Sequence, residues 1–300
     1  MNSQHSEIKI IGVDLGGTKV HVAEIDNDVL SGGKIKNQHK VNIDASGTEQ
    51  EVLSELKSAI KEVWNDGIQG IGLGIPSVCD IQKGIVYDVS NIQSWKEVHL
   101  KAILENEFKV PVYLNNDANC FAIGENYFGH GKKYKNFIGL IMGTGMAGGI
   151  IINHKLYNGI NCGSGEFGMM PYKKHFYEYY CTGRYFTRNY NLKGEEMAAM
   201  AASGHQKAIK AFKKFGKHVG NAISAIMYAY DPEGIILGGS VSKSYTYFKD
   251  EVANVLADFA YTPIRENFKI EVSENLDIPV LGAAALFLDN LGNNKNDGNG

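Results

Sequence analysis

No apolar run in this chain comes near the roughly 20 residues that a membrane-spanning helix requires. Residues 1–7 are polar and lack the apolar centre of a secretion signal, so a cytoplasmic protein with no membrane partner is expected. Charge of one sign is missing too. Thirty Lys and Arg face 33 Asp and Glu, for a net charge of -3, and no basic stripe or run stands out. Nucleic-acid binding draws on such a stripe, so nucleic acid is not an expected partner. Only four cysteines occur (Cys79, Cys120, Cys162 and Cys181), too few and scattered for a disulfide framework, and they are read as reduced thiols. There is no G-x-x-x-x-G-K-[ST] phosphate loop either. What is present is hydrophobic bulk: 44% of 300 residues, enough for a large core split over two domains.

The apolar run Ile8 to Val13 leads into Asp14-Leu15-Gly16-Gly17-Thr18-Lys19 and a second apolar run, Val20 to Ile25. A Gly-Gly pair between two such runs signals a hairpin, since both positions tolerate φ > 0. Without Cβ atoms the backbone N–H groups can approach an anion closely, and Thr18 adds a hydroxyl donor. A plain hairpin turn is the competing reading. The same pattern returns at Phe137 to Met142, Gly143-Thr144-Gly145-Met146-Ala147-Gly148-Gly149 and Ile150 to Asn153. That duplication favours two facing hairpins that hold a polyphosphate between two domains.

Between the two lies a polar cluster. Val110 to Leu114 reads as a short buried strand ending in Asn115-Asn116-Asp117-Ala118-Asn119, and Phe121, Ile123, Tyr127 and Phe128 then follow helical spacing. A carboxylate at such a strand-to-helix junction sits at the open edge of an α/β sheet, where ligands bind. Asn116, Asp117 and Asn119 offer a base with amide donors and acceptors, suited to holding and deprotonating a polyol hydroxyl. The alternative is that Asp117 is only a helix N-cap.

The remaining segments fill in an α/β chain. Val52, Leu56, Ile60 and Val63 predict a helix over Thr48 to Trp64, and a strand follows at Ile68 to Ile75. Asp88 to Trp95 reads as an ordered loop with Trp95 packed, and His99 to Phe108 as an amphipathic helix. Lys193 to Tyr230 is helical with a break near Ser203-Gly204, and Asp231 to Gly234 is a turn. Strand Ile235 to Leu237 then meets Gly238-Gly239, where a Gly-Gly turn into a helix lets a flat base or ribose lie on the backbone. A helix of small, closely packing residues begins at Pro279, and the polar tail 293–300 is expected to be disordered.

Taken in order, these motifs resemble the ROK family (repressors, open reading frames and kinases) of the actin-like sugar kinase superfamily. Asp14 to Lys19 looks like its first phosphate loop and Gly143-Thr144-Gly145 its second. Gly74-Ile75-Pro76-Ser77-Val78 with Asp80 is similar to its G-x-P-G-x-x-D segment, with Ser77 in place of a glycine, and Asn116-Asp117-Ala118-Asn119 matches its catalytic N-D-A-N. Asp231 to Gly239 looks like its adenosine-side strand and turn. Glu166 matches a sugar-contacting glutamate, and Glu178 in Glu178-Tyr179-Tyr180-Cys181-Thr182-Gly183-Arg184 a second one. The family histidine that touches sugar and binds zinc is Met169 here, and its C-x-C-G-x-x-G-C segment is missing. Zinc is therefore expected to be absent, with aromatic packing holding the loop. A substitute metal site from Cys162, His175 and Cys181 fits no zinc spacing.

The resemblance implies a two-domain actin-like (ribonuclease H-like) ATPase fold, with mixed sheets, flanking helices and a cleft between the domains. Residues 1–117, completed by the C-terminal helix at about 283–292, would form the smaller domain and 118–282 the larger. The implied reaction is ATP-dependent phosphorylation of a glucose-type hexose at its 6-hydroxyl. Asp117 would be the general base, and Asn116, Glu166 and Glu178 would hold the sugar. Asp14, Gly16, Gly17, Thr18, Lys19, Gly143, Thr144, Gly145, Gly238 and Gly239 would hold ATP. Mg²⁺ would be bound through ATP and, by way of water, through Asp14. N-acetylmannosamine, N-acetylglucosamine, fructose and β-glucosides are alternative substrates within the family, in which homodimers are common. A sugar-sensing, non-catalytic regulator is the alternative from another class. Repressors of this family carry a helix-turn-helix module before the first phosphate loop, which residues 1–7 are too few to hold.

Overall fold

The computed structural model describes residues 8–27, 33–89, 91–160 and 162–296. The expectations for residues 1–7, for Ser90 within its loop and for the tail at 297–300 lie outside the described residues. The chain divides into two compact units, one of 1–132, 155–164 and 275–300, the other of 133–154 and 165–274.

The first unit begins with β1 (Ile8–Leu15) and β2 (Lys19–Asn27), an antiparallel hairpin in which Leu15 faces Val20. β3 (Lys34–Asn42) extends it. This strand carries no sequence signal because it is polar, with only Ile35 and Val41 turned toward apolar neighbours. Its order comes from pairing with β2 rather than from burial. α1 (Glu49–Lys61) starts where the sequence puts it: Thr48 caps the helix and Glu51 closes a capping box. Its Val52, Leu56 and Ile60 are fully buried against the sheet.

β4 (Ile68–Ile75) runs parallel to β1. Three short strands, Cys79–Asp80, Ile85–Tyr87 and Glu97–Val98, form a small antiparallel sheet, with Trp95 fully buried beside them as expected. α2 (Leu100–Phe108) leads to β5 (Val112–Asn116), parallel to β4, and α3 (Asp117–Phe128) follows without a break. The sheet order is β3-β2-β1-β4-β5, so β1, β4 and β5 end side by side at one edge.

The second unit repeats the opening motif. β6 (Phe137–Met142) and β7 (Met146–Ile152) form a second antiparallel hairpin, closed at Met142 and Met146. Helices α4 (Tyr177–Cys181), α5 (Arg184–Tyr190), α6 (Gly194–Ala202) and α7 (Gln206–Tyr230) follow, with the break at Ser203-Gly204 where the sequence places it. β8 (Gly234–Gly238) is parallel to β6. A 3₁₀ turn over Ser240–Tyr247 replaces the helix expected directly after Gly239, and α8 (Lys249–Ala257) then leads to β9 (Lys269–Val272). Both units thus set a glycine-turned hairpin beside a parallel strand.

The last helix, α9 (Ile278–Asn296), belongs to the first unit. It lies against α3 and the sheet at a distance that only glycine permits. A Cβ on Gly72 would stand 1.8 Å from the Ala283 carbonyl oxygen, and one on Gly282 would stand 1.7 Å from that of Cys120. This tight seat keeps α3 in the first unit, although the sequence placed the boundary at 117. The helix also continues to Asn296, so residues 293–296 are helical rather than a disordered tail. Propagation from the packed turns costs less than a new start would.

Candidate active site

Strand register brings three predicted residues to one edge of the first unit. Asp14 pairs with Gly74, Gly74 with Asn115 and Ile75 with Asn116, so Asp14 and Asn116 come to the same end of the sheet, with Asp117 directly after Asn116. Parallel strands leave their C-terminal ends open for ligands. Asn116, not Asp117, is the N-cap of α3: its Oδ1 accepts the Ala118 N–H at 2.8 Å, and its Nδ2 donates to the Ser77 carbonyl at 3.4 Å. Asp117 is the first helical residue, and its Oδ1 shares the Ala118 N–H at 2.8 Å. The simple capping account of Asp117 therefore fails, because its neighbour already fills that position.

Next to this edge the first glycine turn closes with the Gly16 N–H donating to the Lys19 carbonyl at 2.8 Å. Neither glycine takes a positive φ, contrary to the expectation from the Gly-Gly pair. Space is the reason instead. A Cβ on Gly17 would meet Asn91 at 2.5 Å, which places Asn91 at the turn, a neighbour that sequence spacing did not reveal. A pocket of ≈ 440 Å³ opens here, lined by Asp14, Gly16, Lys19, His21, Lys40 and Asn42 among others.

Both carboxylates are electrostatically unusual. Burial pushes Asp14 up to about 6, and the Asp117 charge adds to the effect. Burial also raises Asp117, opposed by its backbone N–H contacts at the head of α3. Raised carboxyls favour the protonated form in the fold. Asp14 therefore contributes stability at low pH and loses it as pH rises from 3.8 through about 6. Asp14→Asn should then be more stable than the parent at pH 7.5, by roughly 1–2 kcal/mol after allowance for partial exposure, with the gain vanishing near pH 4. Thermal melts at both pH values check this, and a difference independent of pH would contradict it.

In the second unit the other glycine turn closes with the Gly143 N–H donating to the Gly145 carbonyl at 2.9 Å, and the Gly183 N–H donating to the Gly143 carbonyl at 3.0 Å. Glu178 braces it. Its Oε2 accepts the Met146 N–H at 3.1 Å, and a Cβ on Gly145 would come within 3.2 Å of that same oxygen. Gly239 takes φ +82 and a Cβ there would meet the Met142 carbonyl oxygen at 2.4 Å, while Gly238 pairs with Ile141, so both glycines sit beside the end of β6. A ≈ 240 Å³ pocket is lined by Gly143, Thr144, Gly183, Arg184, Lys193 and Ser240 among others. Gly183 and Arg184 belong to the motif read from the sequence around Glu178 but were given no role there, and Lys193 and Ser240 were given none either; folding brings all four beside the turn. Glu166 is exposed and precedes the short turn Phe167–Met169, on which Met169 is exposed as well.

The zinc-side residues do not fit a metal. Cys162 is buried with its Sγ 3.5 Å from that of Cys79, Cys181 is fully buried, and His175 stacks on Tyr179 at 3.9 Å. Among the described residues no group of three or more His, Cys, Asp or Glu converges to hold an ion. The expected aromatic packing is present: Tyr172 stacks on Tyr177 at 4.4 Å, and the Tyr172 hydroxyl lies 3.2 Å from His218 Nδ1. Among the described residues no helix is long and apolar enough to cross a membrane.

The ROK family model matches residues 10–290. A glucokinase from Streptomyces coelicolor is 29% identical over 294 residues, covering 86% of this chain and 86% of its own length. A xylose repressor from Bacillus subtilis is 25% identical over 239 residues, covering 74% of this chain; the chain spans 62% of the repressor's length. A solved ROK family glucokinase from Streptomyces griseus, in complex with glucose and AMPPNP, gives a TM-score of 0.77 at 24% identity, over 93% of this chain and 98% of that one. At that identity the likeness shows the fold alone. The fold is the α/β, actin-like (ribonuclease H-like) ATPase fold, with mixed sheets and flanking helices.

Proposed function

Because this chain belongs to the ROK family, we propose that it is an ATP-dependent sugar kinase that phosphorylates a glucose-type hexose at the 6-hydroxyl, with Asp117 as general base. The observation that carries the reading is that Asp117 follows the open end of a parallel strand, beside the strand end and glycine turn of Asp14, close enough for the two carboxylates to influence each other. Similarity to a glucokinase supports glucose as the first sugar to try. N-acetylmannosamine, N-acetylglucosamine, fructose and β-glucosides are the alternatives.

Phosphoryl transfer asks a protein for alignment and charge neutralisation more than for covalent help. The sugar hydroxyl oxygen attacks the γ-phosphorus, Asp117 accepts the hydroxyl proton, and ADP leaves. The raised carboxyl of Asp117 makes it a stronger base than an ordinary aspartate. Asn116, Glu166 and Glu178 orient the ring; Glu178 can do so while one of its oxygens remains bonded to Met146 N.

Within the turns the Gly16 and Gly143 N–H groups are already engaged, so the phosphate contacts fall to Gly17, Thr18, Thr144 and Gly145, with the Lys19 side chain. Gly238 and Gly239 serve the adenosine. Burial holds both carboxyls up, a cost that a nearby cation would offset, which suits Mg²⁺ held through ATP and, by way of water, by Asp14. The ion supplies neutralisation of the phosphate oxygens when bound.

The test is ADP release from MgATP with each sugar of that panel. Sugar-dependent ADP is expected, with an acid limb in kcat/KM centred above the ordinary aspartate value of 3.8. ADP release without sugar, or none with any sugar, would contradict the kinase. Likeness to a xylose repressor favours one second reading, a sugar-sensing regulator without turnover. That reading predicts a sugar-induced rise in melting temperature with no ADP.

A further inference from the structure

Asn115, next to the residues assigned to the reaction, makes four side-chain hydrogen bonds. It is buried, with 3% of its surface exposed, at the penultimate position of β5. Its Oδ1 accepts from three donors: the Asn116 N–H at 2.9 Å, Asn119 Nδ2 at 2.9 Å and Cys162 Sγ at 3.0 Å. Its Nδ2 donates to Asn158 Oδ1 at 2.7 Å. Cys162 is in turn the acceptor for Cys79 Sγ at 3.5 Å, so one thiol and three amide groups meet at this one amide, with a second thiol behind the first.

These contacts fix the junction that aims Asp117. The Asn116 N–H belongs to the N-cap of α3, and Asn119 sits one turn into the same helix. Asn115 therefore ties the end of the strand to the first turn of the helix across the two residues between them, Asp117 and Ala118. Cys162 holds a left-handed backbone, φ +55, which is costly for a non-glycine residue and is kept where surrounding contacts compel it. The reach is long-range: Asn158 and Cys162 come from beyond β7, so the network pins α3 to a distant stretch of the same unit.

We infer that Asn115 is a positioning residue for the general base, and that the Cys162 thiol acts through it as a hydrogen-bond donor rather than as a nucleophile or metal ligand. The inference rests on the kinase reading of Asp117. In that reading a displacement of about 1 Å at the base can cost up to about 10²-fold in turnover. Removing the amide should therefore lower kcat while leaving nucleotide binding alone.

The experiment compares Asn115→Ala, Cys162→Ala, Cys162→Ser and Asp117→Asn with the parent. The readouts are kcat, KM for MgATP and far-UV circular dichroism. Asn115→Ala is expected to lose roughly 10-fold or more in kcat with KM for MgATP within about twofold. Cys162→Ala should lose a few-fold in kcat, and Cys162→Ser, which keeps a donor, should recover most of it. A filler of space would instead favour Ala and Ser alike, or move only the melting temperature. Unchanged kcat in Asn115→Ala alongside a nearly inactive Asp117→Asn would overturn the inference and leave the base in place. If Asn115→Ala does not fold, the Cys162 pair decides, and Ser no better than Ala overturns it. Near-normal turnover in Asp117→Asn would withdraw the base itself and Asn115's role with it.

Discussion

Asp117→Asn should lower kcat by roughly 10²–10⁴ with the fold intact. Asparagine keeps the size of the side chain and an oxygen for the Ala118 N–H, so α3 has no reason to unravel. What it loses is the capacity to take a proton. The same change removes the charge that helps to raise Asp14, leaving burial alone to hold that carboxyl up. Steady-state rates at saturating MgATP and sugar, with circular dichroism on the same sample, separate lost chemistry from lost fold. Turnover within a few-fold of the parent would remove Asp117 from the role.

A large stability effect is expected at Gly282→Ala. The added methyl would lie 1.7 Å from the Cys120 carbonyl oxygen and 3.0 Å from the Gly124 nitrogen, both helix backbone that cannot swing aside as a flexible side chain can. Overpacking of this kind costs roughly 3 kcal/mol or more. In a protein of this size that is a fall of at least about 6 °C in Tm, or failure to accumulate as soluble protein. Because α3 carries Asp117 at its head, any variant that does fold should also lose turnover. Gly194→Ala is the control, with only Phe186 nearby at 3.6 Å, and should change Tm little. Equal melting of the two variants would contradict the glycine-seated packing of α9.

What the sequence made legible is what local chemistry decides. The Thr48 and Glu51 pair with Val52, Leu56 and Ile60 marks α1 by itself. Two glycine turns between apolar runs mark the hairpins, although the first uses its glycines for room beside Asn91 rather than for a left-handed backbone. The N-D-A-N stretch was visible, but the division of labour inside it was not. Which of Asn116 and Asp117 caps α3 depends on backbone angles that neighbouring residues set together.

The illegible part is long-range. β3 is a polar edge strand recognisable only through its partner. Cys79 and Cys162 look unrelated along the chain and meet in space, as do Asn115 and Asn158. Glu178 reads as a sugar contact by resemblance, whereas its bond to Met146 N, which braces the second glycine turn, requires the folded chain.

The central claim is transfer of the γ-phosphoryl group of ATP to a sugar hydroxyl. Phosphorus-31 magnetic resonance of the protein incubated with MgATP and glucose reads it directly. The expected result is a new phosphomonoester signal on the sugar's 6-oxygen, growing in step with ADP and nearly absent with Asp117→Asn. Inorganic phosphate as the sole product, or an unchanged ATP spectrum with glucose and every other sugar of the panel, would contradict it.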